Sequence, residues 1–131
     1  MAGVVAVSEF QPMPEEASEG RELAARLGCF GCHGPGGQGD TPNPGSLKGY
    51  IPSWSGADYP ELVKGDAELA EWIREGHPRR LRENPAAAFF LKRQLIRMPG
   101  FGSDVTEDEI RQIGAYIAWL RQRSAGSGSG S

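Results

Sequence analysis

The chain has 131 residues and a formal net charge of −3, which is enough for one domain with a thin hydrophobic core. The charge gives no reason to expect a nucleic-acid partner, and no stretch approaches the roughly 18 apolar residues of a membrane span. Glycine supplies 19 residues and proline 10, both above their usual shares, so we expect much of the chain to form loops.

The two ends of the chain differ in composition from its middle. Residues 1–13 form an N-terminal extension with a short apolar run, Val4–Val7, that has no basic start and no cleavage signal. Such an extension is consistent with a leader or a membrane anchor that has been trimmed. Residues 124–131 have the composition of an engineered Gly/Ser tail. This leaves residues 14–123 as the expected folded domain.

The first predicted helix covers residues 14–28. Pro14 and the acidic residues after it suit a helix N-terminus, and Gly28 suits its C-terminal end. Small and apolar residues recur at helical spacing within it, namely Ala17, Gly20, Leu23, Ala24 and Leu27. We therefore expect an amphipathic helix that delivers both cysteines of the chain at its end.

The two cysteines lie in the segment Cys29-Phe-Gly-Cys32-His33, and four chemistries use such a pair. A thioredoxin-like redox site needs a strand before the cysteines, and no strand-like alternation occurs near residue 29. A structural zinc site needs four ligands, whereas this segment offers three and the chain has no second C-x-x-C. A disulfide between the two cysteines would close a very short loop and leave His33 without a role.

The fourth chemistry uses all three residues. In C-x-x-C-H the two thiols add to the two vinyl groups of a haem, and the histidine that follows binds the iron. The sequence therefore predicts one covalently attached haem, with Cys29 and Cys32 as the attachment residues and His33 as the proximal ligand.

Three weaker helices are expected in the middle of the chain. One covers residues 59–64. The second covers residues 66–76, with Asp66 as N-cap and Gly76 as its end, and the third covers residues 84–97, opened by Asn84 and Pro85. Their apolar residues would share one core: Leu62, Val63, Leu69, Trp72, Ile73, Phe89, Phe90, Leu95 and Ile96.

A second axial ligand could come from Met1, Met13, His77 or Met98. Met1 is the initiator, Met13 suits packing, and His77 suits the surface or the neighbourhood of a haem propionate. Met98 differs because Pro99 after it prevents a helix and favours extended backbone at the methionine. A neutral sulfur ligand favours reduced iron and fills the sixth position, which suits electron transfer rather than oxygen chemistry. Met98 is therefore the predicted distal ligand, and core packing is its other interpretation.

The last predicted helix follows Val105. Thr106 and Glu109 form a capping box, and Val105 and Ile110 form a hydrophobic staple. We expect the glycines Gly20 and Gly114 to let the first and last helices cross closely, with Tyr116 or Leu120 covering the crossing.

The haem motif, the glycine-rich HGPGGQG after it, the Met98-Pro-Gly-Phe loop and the closing helix together resemble the small class I c-type cytochromes. The resemblance runs from about Glu15 to Arg123. It implies an all-α cytochrome c fold in which four or five helices wrap one covalently bound haem and the terminal helices cross. We expect no sheet and no internal repeat.

The resemblance also implies a proline carbonyl that accepts the second N–H of the proximal imidazole. Pro44 matches that position better than Pro42, although the proline–leucine spacing is one residue longer than in the family. Tyr50 and Trp54 are candidate donors to the haem propionates, and ordinary packing is the other interpretation of both.

Charge is unevenly distributed along the chain. Between Arg74 and Arg97 there are seven basic residues against Glu75 and Glu83, whereas the first 28 residues carry five Glu against two Arg. A solvated helix face, with one or two arginines near the propionates, is one interpretation. The other is a basic rim that steers an acidic redox partner and comprises Arg79, Arg80, Arg82, Arg93 and Arg97.

The function expected from these features is single-electron transfer, by a free carrier or by a domain of a larger oxidoreductase, and not an enzyme activity of its own. The alternative is a haem enzyme or gas sensor, peroxidase-like or binding a diatomic gas, in which Met98 is labile or absent from the iron. We expect a monomer whose partners are redox proteins. In the family, haem attachment takes place outside the bacterial cytoplasm or in the mitochondrial intermembrane space, so the resemblance implies a periplasmic or otherwise extracytoplasmic location.

Overall fold

The computed structural model describes residues 12–129, with side chains up to residue 124. Most of the expected N-terminal extension and the last two residues of the tail lie outside this range. The α-helices in the described range are α1 Glu15–Leu27, α2 Cys29–His33, α3 Tyr59–Leu62, α4 Asp66–Glu75, α5 Arg79–Arg82, α6 Pro85–Arg93 and α7 Glu107–Ser129. None of these helices is long and apolar enough to cross a membrane.

The fold is mostly helical, as expected, but its helices outnumber the four or five that the sequence predicts. The additional ones are α2 and α5, which have five and four residues. Gly28, with φ of 83°, separates α2 from α1, and α5 begins after Pro78. Helices this short have no hydrophobic period that a sequence could reveal.

The expectation of no sheet is wrong. Strand β1, Thr41–Pro42, pairs antiparallel with β2, Tyr50–Ile51, so that Thr41 faces Ile51 and Pro42 faces Tyr50. Two residues per strand are too few to show the alternation that marks a strand in sequence. The hairpin matters for the site because it fixes the path of residues 41–51.

Most of the predicted helix ends are confirmed. The amide of Gly28 caps α1 by donating to the carbonyls of Ala24 and Ala25. Thr106 and Glu109 form the capping box, with backbone N to side-chain oxygen distances of 2.9 and 3.1 Å. The side chain of Asn84 caps α6 by accepting hydrogen bonds from the amides of Ala86 and Ala87.

Two helix boundaries differ from the prediction. The N-cap of α4 is Gly65, and Asp66 is its first helical residue. Helix α6 ends at Arg93 instead of residue 97, because the next residues leave the helix for contacts with the 41–51 hairpin. There the Leu95 amide donates to the Pro44 carbonyl at 2.8 Å, a contact that helix propensity does not foresee.

Helices α1 and α7 pack against each other at Gly20, as predicted. A Cβ at Gly20 would overlap the backbone carbonyl of Gln112, so only glycine allows this approach. The prediction for Gly114 is wrong, because a Cβ there would meet the side chain of Leu69 on α4 at 3.3 Å. Tyr116 and Leu120 are both buried.

The hydrophobic core joins α1, α4 and α7. Its buried members include Leu23, Leu69, Ile73, Ile113 and Ile117. Met13 packs against this core, so the packed domain includes this residue of the expected N-terminal extension. At the other end, α7 runs on to Ser129, into the segment assigned to a tail, since extending an existing helix costs far less than nucleating one.

Candidate functional site

A mostly apolar cavity of about 240 Å³ lies among these elements. Its lining includes Cys29, Cys32 and His33 from α2 and Met98 from the loop before α7. Tyr50 and Trp54 also line it. Cys29, Cys32 and His33 are neighbours in the sequence, whereas Met98 lies 65 residues after His33, and the fold brings all four to one cavity.

Helix α2 carries the two cysteines and the histidine. Cys29 and Cys32 are half-buried free thiols. Burial raises the pKa of Cys29 to about 11, whereas a thioredoxin-like redox cysteine needs a lowered pKa. In residues 12–129 no three His, Cys, Asp or Glu side chains come together to hold a metal ion.

His33 is oriented by a backbone carbonyl. Its Nδ1 lies 3.3 Å from the carbonyl oxygen of Pro52, and because a carbonyl only accepts, Nδ1 carries the proton. Nε2 is then the ring nitrogen with a free lone pair. Burial lowers the pKa of His33, and the bond to Pro52 opposes part of that shift. The imidazole is therefore neutral at pH 7, which is the form that binds iron.

The carbonyl beside the imidazole belongs to Pro52, not to Pro44 or Pro42. The Pro44 carbonyl accepts the amide of Leu95, and Pro42 pairs with Tyr50 in the hairpin. Sequence spacing could not separate these prolines, because the turn between β1 and β2 decides which of them reaches α2.

Met98 lies on a loop that is seated against the end of α4. Gly76, with φ of 84°, ends α4, and a Cβ there would come within 2.5 Å of the Met98 carbonyl oxygen. A Cβ at Gly100 would come within 2.7 Å of the Arg74 carbonyl oxygen. The Phe101 amide donates to the Ile73 carbonyl at 2.9 Å. The two glycines therefore let the loop lie directly on the helix end.

Upstream of Met98 the same loop is held by Asn43, a residue that sequence reasoning missed. Only 3% of Asn43 is exposed. Its side-chain Oδ1 accepts the Ile96 amide at 2.7 Å, and its Nδ2 donates to the Ile96 carbonyl at 3.0 Å. An asparagine between two prolines reads as a turn residue, so no local signal marks this contact.

Tyr50 and Trp54 each contact a neighbouring side chain. The Tyr50 hydroxyl donates to Asp58 at 2.5 Å, and that hydrogen bond raises the pKa of the tyrosine. Trp54 is buried and its ring centroid lies 5.1 Å from that of His33. Trp54 therefore packs against the His33 imidazole.

His77 does not line the cavity. Its Nδ1 is buried and has no hydrogen-bond partner within the described part of the chain. Met98 therefore lines the same cavity as His33, and His77 does not.

The arginines of the expected basic rim fall into two groups. On α5, Arg80 pairs with Glu68 at 2.6 Å and Arg82 with Glu75 at 3.5 Å. Arg93 stacks over the Phe89 ring at 5.2 Å, and Arg97 donates to the carbonyl of Lys92. Among the ion pairs of residues 12–129, none involves Arg79, Arg93 or Arg97. These three charges are therefore less neutralised than those of Arg80 and Arg82.

A helical domain whose C-x-x-C-H segment and a distant methionine line one apolar cavity has the organisation of a c-type cytochrome domain. The comparison with protein families agrees: the model described as cytochrome c oxidase, cbb3-type, subunit III matches residues 15–117. The chain belongs to this family, and its domain is of the monohaem c type. Membership implies haem-based electron transfer with a c-type haem and its iron as cofactor.

Two further comparisons, with curated proteins and with solved structures, gave no significant match.

Proposed function

We propose that this chain transfers single electrons through one haem that Cys29 and Cys32 hold covalently and that His33 and Met98 ligate. The observation that supports this most is that all four residues line one apolar cavity. When bound, the haem supplies an iron that gains and loses one electron. The family description names an oxidase subunit, which suits a relay that passes electrons towards such an enzyme.

The protein's own residues would fix the orientation of the two iron ligands. The Pro52 carbonyl orients the His33 ring and leaves Nε2 as the nitrogen that would bind the iron. The close contact between the end of α4 and the Met98 loop, which Gly76 and Gly100 allow, fixes that loop. Apolar lining residues such as Ile73 and Phe90 exclude water from the cavity. If His33 and Met98 both bind the iron, they would leave no position for a substrate, and the iron would exchange electrons without making or breaking substrate bonds.

The absorption spectrum of the matured protein tests this proposal. We expect a low-spin iron with a far-red sulfur-to-iron band and no response to carbon monoxide. A high-spin spectrum that shifts with carbon monoxide would instead support a haem enzyme or gas sensor. A low-spin spectrum without the sulfur band would support a second histidine, His77, as the ligand.

Substitution of Met98 sharpens the test. Met98→Ala should abolish the sulfur band and allow carbon monoxide to bind, because it removes the thioether. Met13→Ala serves as the matched control, since Met13 is also a partly buried methionine packed on the core. A spectrum that changes in the control but not in Met98→Ala would refute ligation by Met98.

We also propose that redox partners dock beside the cavity, on the side of α6. The segments 41–57 and 84–103 contain no Asp or Glu but include Lys92, Arg93 and Arg97. Lys48 also lies there, but it pairs with Asp58 at 3.2 Å and with Glu61 at 3.5 Å. Leu47 and Leu95, which are 66% and 73% exposed, lie on the same two segments. An apolar surface with basic surroundings suits a partner with acidic residues around an apolar centre.

We place the protein in the periplasm or another extracytoplasmic space. This rests on its family, because c-type cytochromes receive their haem there. Export with a leader sequence should give a product that keeps its haem after denaturation, whereas cytoplasmic expression should give protein without covalent haem.

A further inference from the structure

The loop that carries Met98 has no regular structure between the end of α6 and the turn at Gly102–Asp104. Its position therefore depends on a few contacts with the rest of the fold. Downstream of Met98, the Phe101 amide bonds to α4. Upstream, the contacts come from the β1–β2 turn through Asn43 and the Pro44 carbonyl.

The Asn43 side chain makes three hydrogen bonds to this loop, one at Oδ1 and two from Nδ2. Oδ1 accepts the Ile96 amide at 2.7 Å. Nδ2 donates to the Ile96 carbonyl at 3.0 Å and to Gln94 Oε1 at 3.3 Å. Because an amide N–H only donates and a carbonyl only accepts, the pairing with Ile96 fixes the orientation of the side-chain amide.

The backbone of Asn43 is itself held in place. Its amide donates to the Gly49 carbonyl at 2.8 Å, and its carbonyl accepts from the Ser46 hydroxyl at 2.7 Å. The β1–β2 pairing lies on either side of this turn. The position of Asn43 is thus fixed by its backbone hydrogen bonds, and its side chain is hydrogen-bonded to Ile96, two residues before Met98.

We propose that Asn43 is a positioning residue that holds the Met98 thioether at the haem iron. This rests on the proposed ligation by His33 and Met98. Loss of the side chain would leave both polar groups of the partly buried Ile96 backbone without these partners, and such groups favour opening to water. The loop would then leave the iron more often, and most of all in the oxidised state, which a neutral sulfur binds less well.

Asn43→Ala tests this in the holoprotein. We expect the far-red sulfur band of the oxidised form to weaken strongly and added imidazole to bind on the order of tenfold more tightly, because a larger fraction of the molecules is open. The reduction potential should fall, since sulfur ligation favours reduced iron.

Asn84→Ala is the matched control. It also removes an asparagine whose side chain accepts backbone hydrogen bonds, here at the start of α6. We expect it to lower the melting temperature while leaving the sulfur band and the imidazole affinity unchanged. If both variants change these two readouts equally, the effect is general loosening and the proposal is wrong.

Asn43→Asp covers the case in which the alanine variant fails to mature. The aspartate keeps the shape and the acceptor for the Ile96 amide but loses both donors, so it should weaken the sulfur band in the same direction. A wild-type protein without the band would overturn the ligation itself. A wild-type band that survives in the Asn43 variants would overturn only the role of Asn43.

Discussion

Single residues decide which charges remain available on the surface. Arg80 is held by Glu68 and by the carbonyl of Glu61, so it belongs to the fold as much as to any docking surface. Lys92 is exposed and lies in the segment without carboxylates. A count of basic residues in the sequence therefore overstates the charge that a partner would meet.

Charge reversal at Lys92 tests whether the charge of this exposed residue attracts a redox partner. Lys92→Glu should slow oxidation of the reduced protein by ferricyanide at low salt, on the order of twofold to tenfold, because it weakens the attraction of an anionic reactant. The difference should shrink as salt rises. Stopped-flow kinetics at several ionic strengths would measure it.

Arg123→Glu changes the net charge equally at a site on α7, outside the two segments. We expect it to alter the ferricyanide rate much less. Equal effects of the two variants would show that net charge alone, and not charge beside the cavity, sets the rate.

At the scale of elements, the Met98 loop packs directly against the C-terminal end of α4. Gly76 serves two purposes there, since its φ of 84° ends the helix and its missing side chain admits the Met98 carbonyl. The helix terminus and the ligand loop therefore depend on the same residue.

Gly76→Ala should disturb both the end of α4 and the position of the Met98 loop. A residue with a Cβ pays about 1–2 kcal/mol for the left-handed backbone, and here the Cβ also meets the Met98 carbonyl oxygen at 2.5 Å. We expect a lower melting temperature together with loss of the sulfur band, measured by thermal unfolding and by the absorption spectrum.

Gly65→Ala separates the two effects. Gly65, at the start of the same helix, has φ of 86° but no atom within 4 Å of a Cβ. It should lower the melting temperature and leave the sulfur band intact. Loss of the band in this variant would mean that the stability of α4, and not the close contact at Gly76, determines whether Met98 binds the iron.

At the scale of the whole molecule, contact between α1 and α7 joins the two ends of the domain. Arg111 pairs with Glu16 at 3.0 Å, and Gln112 donates to Glu19 at 3.0 Å. Between these surface contacts, Gly20 meets the backbone of α7. The helix that delivers the cysteines is therefore positioned by the last helix of the chain.

Gly20→Ala should destabilise the protein although alanine favours a helix by about 1 kcal/mol over glycine. Its Cβ would overlap the Gln112 backbone, and overpacking of this kind costs about 1–3 kcal/mol. Denaturant unfolding should show a net loss of stability.

Gly114→Ala is the comparison within α7. Its Cβ would meet only the flexible end of Leu69 at 3.3 Å, so we expect a near-neutral or slightly stabilising effect. A stabilising Gly20→Ala would contradict the close helix contact.

The sequence alone indicated the haem chemistry and determined most of the local helix boundaries of this protein. The C-x-x-C-H segment, the Gly28 and Gly76 helix ends, the Asn84 cap and the Thr106 capping box depend on neighbouring residues only, and a linear pattern carries such information. The tertiary structure decided that Pro52 meets His33, that Asn43 holds Ile96 and that Gly114 faces Leu69. These contacts join residues far apart in the chain. The hairpin and loops between them follow an irregular path, and no repeating sequence pattern predicts such a path.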